Sequence, residues 1–127
     1  MDKLIAAAKD ATALARTSAK HAIEIAGMAN KAARTASEHG FVADAVTKAS
    51  AALDEFHAAK GLHEESKSAA ARGRQEDAVN AAIASIESSK NAAKLSHDAA
   101  VDAGNAGAPE KIVELVQDHA INAYNKH

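Results

Sequence analysis

Alanine occupies 36 of the 127 positions, while Phe and Tyr together supply three and Trp none. That ratio constrains the fold more than any other feature. A sandwich or barrel needs β-branched and aromatic side chains to fill its core, whereas alanine has the highest helix propensity and lets two helix backbones approach closely. An all-α chain follows, of a length that suits one domain over residues 1–127.

Glycine and proline divide the sequence. "EHGF" at 38–41, "ARGR" at 71–74 and "DAGNAGAPE" at 102–110 separate long stretches of helix-forming composition. They predict four helices, near 2–38, 42–71, 75–103 and 109–126. Short connections make successive helices antiparallel, an up-down-up-down four-helix bundle with an alanine-rich core. Pro109 and Glu110 suit the first turn of the last helix. A weak repeat agrees with one helix per unit: a shift of 33 lays "GFVADAVTKASAALDEFHAAKGL" on "GRQEDAVNAAIASIESSKNAAKL". Gly27 and Gly61 fall inside helices, so the chain is expected to kink there or to meet a neighbouring backbone.

Heptad spacing places Leu4, Ala7, Ala11, Leu14, Ser18, His21, Ile25, Met28 and Ala32 on the buried stripe of the first helix. The second offers Val42, Ala45, Ala49, Ala52, Leu53, Phe56 and Ala59. Val79, Ala82, Ile83, Ile86, Ala93 and Leu95 are expected to be core on the third, and Ile112, Leu115, Val116 and Ala123 on the fourth.

Several function classes are set aside by composition. Fifteen basic and seventeen acidic residues are interspersed, with no basic stripe for nucleic acid. No apolar run approaches the roughly 20 residues needed to span a bilayer, so a soluble protein is expected. Without cysteine there is no disulfide, thiolate ligand or thiol nucleophile. No glycine-rich phosphate loop or nucleophile elbow occurs.

What remains is an unusual supply of imidazole: seven histidines, at 21, 39, 57, 63, 97, 119 and 127. With the helix ends above, His21, His57 and His119 fall at one level of the bundle. Glu24 follows His21 by three residues, Asp54 precedes His57 by three, Asp118 adjoins His119, and Glu87 lies on the third helix. Residues three apart share a helix face, so each pair offers two ligands, or one ligand and its orienting partner. Imidazole and carboxylate suit Cu(II), Ni(II) or Zn(II), and the Met28 thioether adds Cu(I). His39 beside Gly40 is expected to cap the end of the first helix; His63 and His97 are expected to face solvent, and His127 to fray.

The stretches "KHAIEIA" (20–26), "FHAA" (56–59), "SHDAA" (96–100) and "VQDHAINA" (116–123) resemble the bacterial small metal-binding protein family. The resemblance implies a four-helix bundle that binds divalent transition metals, copper foremost, in the periplasm, and that buffers them or carries them to a protein partner. It assigns metal binding to His21, His57, His97 and His119. Lys48, Ala82 and Lys90 stand where a histidine-rich repeat would place histidine.

Two other functions compete with this non-enzymatic one. A structural or protein-interaction bundle would carry its histidines incidentally. A ferritin-like di-metal protein needs Glu-x-x-His on two helices; Asp54-x-x-His57 resembles that element, while His21-x-x-Glu24 has it reversed.

Overall fold

The computed structural model describes residues 1–127 as four α-helices: α1 Asp2–Ala32, α2 Ala36–Ala71, α3 Gln75–Asn105 and α4 Glu110–Asn125. They form an all-α four-helix bundle without strands. None of the helices is long and apolar enough to cross a membrane.

Two of the three expected breaks are where glycine places them. At Gly73 (φ 74°) and Gly107 (φ 101°) the chain enters the left-handed region. Each helix end closes in the same way, Arg74 N–H donating to Ala69 O at 2.9 Å and Ala108 N–H to Ala103 O at 3.0 Å. These are the six-to-one bonds that satisfy the last carbonyls of a helix ending at glycine. The first break differs from the expectation. It lies at residues 33–35 and not at 38–41, so His39 and Gly40 belong to the first turns of α2. The cause is a capping box: Glu38 N–H donates to Thr35 Oγ1 at 3.1 Å, and the Glu38 carboxylate accepts from Thr35 N–H at 3.1 Å. His39 therefore sits near the positive end of α2, not at the negative end of α1.

The cross-section is a rhombus and not a square. α1 and α3 each touch all three other helices, whereas α2 and α4 make no contact with each other. Such a short diagonal requires small side chains. The buried positions of α3 are all Ala or Ser except Asp102. The aliphatics expected in its core are displaced outward: Ile83 is 48% exposed, and Val79, Ile86 and Leu95 are half-buried. Leu115, expected to be core on α4, is 64% exposed. Of the α1 stripe, Leu4, Leu14 and His21 are only half-buried and Met28 is exposed, while Ala15, Ala19 and Ala22 fill the seam.

Serine hydroxyls cross these close seams. Ser85 Oγ donates to Ala59 O at 2.7 Å and lies 3.3 Å from Thr12 Oγ1, tying α3 to α2 and α1 at one level. Ser66 Oγ donates to Ala78 O at 2.7 Å. A Lys48–Asp102 ion pair at 2.6 Å links α2 to α3; the hydrogen bond to Asp102 raises the Lys48 pKa.

α4 is about half as long as the other three or less, roughly 24 Å against about 46–54 Å at 1.5 Å per residue. It starts beside the end of α1 and runs back along the α1–α3 groove as far as Lys90, whose ammonium stands 4.8 Å from the Tyr124 ring centroid. Val113, Val116, Ala120 and Ala123 are its buried face. This half-length helix brings His119 against α1.

Candidate metal centre

Ser18 and His21 lie on α1 one turn apart, and His119 on α4 reaches between them. The His21 and His119 ring centroids are 5.1 Å apart with the planes at 75°. His119 Nδ1 lies 3.2 Å from the buried Ser18 Oγ. When Nδ1–H donates to that oxygen, Nε2 keeps its lone pair, the arrangement that commonly orients a ligating imidazole. His21 Nδ1 is buried and has no hydrogen-bond partner. An unmet buried polar group costs about 1–3 kcal/mol, so this ring is held by packing at an energetic disadvantage.

The two rings open on a cleft of ≈ 420 Å³ that Glu24, Ile25, Met28 and Leu115 also line. Glu24 and Met28 are exposed at its rim. Burial lowers the pKa of His119, and the neighbouring His21 lowers it further. The imidazole is accordingly neutral at pH 7, the form a metal ion needs.

The spacing fits shared coordination. A metal–nitrogen bond of about 2.0–2.1 Å puts each ring centroid roughly 3.2 Å from the ion, so two imidazoles bound at about 90–109° have centroids about 4.5–5.2 Å apart. The observed 5.1 Å falls in that interval.

The third expected imidazole is elsewhere. His57 is exposed on α2, beside Phe56 (ring centroids 5.1 Å), in a groove between α2 and α1. α2 and α4 make no contact with each other, and the Thr12–Ser85–Ala59 level puts His57 beside residue 14 of α1, about 10 Å along the axis from His21. Asp54 is exposed on the same helix and does not join the pair either. His97 is half-buried on the α3 flank of α4, against Ala120 and Tyr124, with its Nδ1 3.5 Å from Asp98 Oδ1. His21, His57 and His119 therefore do not meet at a common point: His21 and His119 stand together, His57 stands apart, and no group of three or more His, Asp or Glu side chains is gathered for one ion.

Two side chains had other expected roles. Ser18 is expected only as a position on the heptad stripe of α1; its spacing of three from His21 carries the signal that it shares the same face. His63, expected to face solvent, is 7% exposed. Burial lowers its pKa most, then the positive charge of Lys67; Glu64 acts in the opposite sense, and Lys9 lowers it least.

Comparison with protein-family models, curated proteins and solved structures finds no match.

Proposed function

We propose that the protein binds a divalent transition metal ion at the His21–His119 pair and serves as a non-catalytic metal buffer. The observation that carries this reading is the 5.1 Å approach of two imidazoles from helices distant in sequence, one with a buried unpartnered nitrogen. The two rings supply the fixed ligands. Glu24 and Met28 line the same cleft and are free to swing inward, and water completes the shell. Two imidazoles with a carboxylate favour Cu(II), then Ni(II) or Zn(II), and the thioether extends the site to Cu(I). An open, incomplete shell suits reversible loading. Exposed Met28 and Leu115 at the rim give a delivery partner an apolar surface to meet. A periplasmic location for such a buffer is what the sequence resemblance implies.

The test is thermal unfolding of the metal-free protein with added Cu(II), Ni(II) or Zn(II). Binding to the folded state raises the midpoint, by about 2.7 kcal/mol of stability at a hundredfold excess over Kd. His21→Ala and His119→Ala remove the rise; His57→Ala and His97→Ala retain it. A rise that survives loss of His21 and His119 refutes this site.

A second reading has its own support. Ile23, Val46 and Ile83 are each 45–48% exposed, more apolar surface than the thin core can spare. If no ion moves the midpoint, a structural or interaction bundle is the better account.

A further inference from the structure

The groove between α1 and α2 where His57 and His63 lie has a different chemistry from the metal centre. Lys9 and Arg16 line it from α1, and His57, Lys60 and His63 from α2, with Thr12 at its floor. No carboxylate lines it, in a chain whose formal charge is −2. The nearest acid acting on His63, Glu64, is already paired with Lys67 at 3.2 Å. Lys9, Arg16 and Lys60 have no carboxylate partner.

The placement follows from helix geometry. The Thr12–Ser85–Ala59 hydrogen bonds set Thr12 level with Ala59. Because α1 and α2 run in opposite directions, Lys9 then faces His63 and Arg16 faces the level of Phe56 and His57, with Lys60 between. Lys9 and Arg16 are seven residues apart, two turns on one stripe, or about 10.5 Å. Three permanent cations and two imidazoles therefore border an open groove of ≈ 630 Å³. Uncompensated like charges held on two packed helices repel one another, and an anion bound between them relieves that repulsion. Guanidinium, ammonium and imidazole N–H are all donors and match phosphate oxygens.

We infer that this α1–α2 groove is an anion-binding site for a small polyphosphate, a ligand with two or more linked phosphate groups. With Lys9 and Arg16 rooted about 10.5 Å apart along α1, a linked chain of phosphates contacts more of the ladder at once than a single phosphate does. Phe56 at the groove is buried and the other rings there are the His57 and His63 imidazoles, which serve as donors to an anion, so recognition is assigned to the phosphates.

The experiment is calorimetric titration of the metal-free full chain with sodium tripolyphosphate at about 0.15 M ionic strength. Saturable one-to-one binding is expected, weakened about tenfold or more in the Lys9→Gln/Arg16→Gln/Lys60→Gln variant, as loss of three charge-assisted contacts requires. All three side chains are exposed, and circular dichroism checks that the variant stays helical. Lys31→Gln/Lys94→Gln/Lys111→Gln makes the same change in net charge farther from the groove and is expected to leave the affinity within about twofold, since at that ionic strength exposed charges beyond about 8–10 Å are largely screened. His21→Ala/His119→Ala is expected to bind as the wild type does, so failure of the metal reading leaves this one standing. Absence of saturable binding, equal weakening in both triple variants, or binding to phosphatidylserine vesicles without binding to tripolyphosphate overturns the proposal.

Discussion

The imidazoles divide by their electrical surroundings. His21 and His119 share a cleft with a carboxylate and no lysine or arginine, whereas His57 and His63 share theirs with three permanent cations. The first pair is suited to a cation and the second to an anion. Sequence spacing located His21 and His119 because each depends on position along its own helix. It did not separate His57 from them, since that needs to be known from which corner of the bundle α2 projects. The pH behaviour belongs here. His63 and His119 both have folded-state pKa values below the ordinary 6.5, chiefly from burial. The unfolded chain then takes up their protons first on acidification. The stability they lend is complete above about pH 6.5 and is lost as pH falls through their lower folded values. Thermal midpoints of the metal-free protein should therefore drop between about pH 7.5 and 5.5, and the drop should be smaller in His63→Gln/His119→Gln. An identical drop in that variant would contradict the assignment.

Glycine means different things in different elements. At Gly73 and Gly107 it permits the left-handed turn that ends a helix, and those breaks were legible in the sequence. Gly40, inside α2, drew the expected first break too far along the chain. The decisive local signal was Thr35-x-x-Glu38, whose side chains close the turn at 33–35. Nor do Gly27 and Gly61 mark a close approach: a Cβ built at either meets nothing within 4 Å. Both lie within unbroken helices. Gly27→Ala and Gly61→Ala should each stabilise the protein by about 0.5–1 kcal/mol, from helix propensity and reduced unfolded-state entropy. Gly73→Ala should destabilise it by about 1 kcal/mol or more, because its φ of 74° strains an L-residue. Chemical denaturation of the three variants measures all three signs.

The fold class and the alanine-rich core were readable from alanine content and helix breaks, but heptad spacing also placed Val79, Ile83, Ile86, Leu95 and Leu115 in that core. That rule serves helices that meet one seam. Here α1 and α3 form the short diagonal of a rhombus and each meets three neighbours, so alanine and serine occupy the buried positions while Ile83 and Leu115 are pushed toward solvent. Ala92 is fully buried where Ala15, Ala19, Ala52 and Phe56 converge. Ala92→Leu should therefore destabilise by about 1–3 kcal/mol or more through overpacking, whereas a bundle with a spacious core would gain from the same change. The rhombus also decides the chemistry. It separates His57 on α2 from His119 on α4 and leaves α4, lying along α1, to complete a two-histidine cleft. The most direct test of that cleft is an anomalous-scattering map from crystals of the copper-loaded protein. The account predicts the strongest peak between the His21 and His119 rings, within about 2.0–2.3 Å of one nitrogen of each. A copper peak at His57, His63 or His97 with none between His21 and His119 would contradict it.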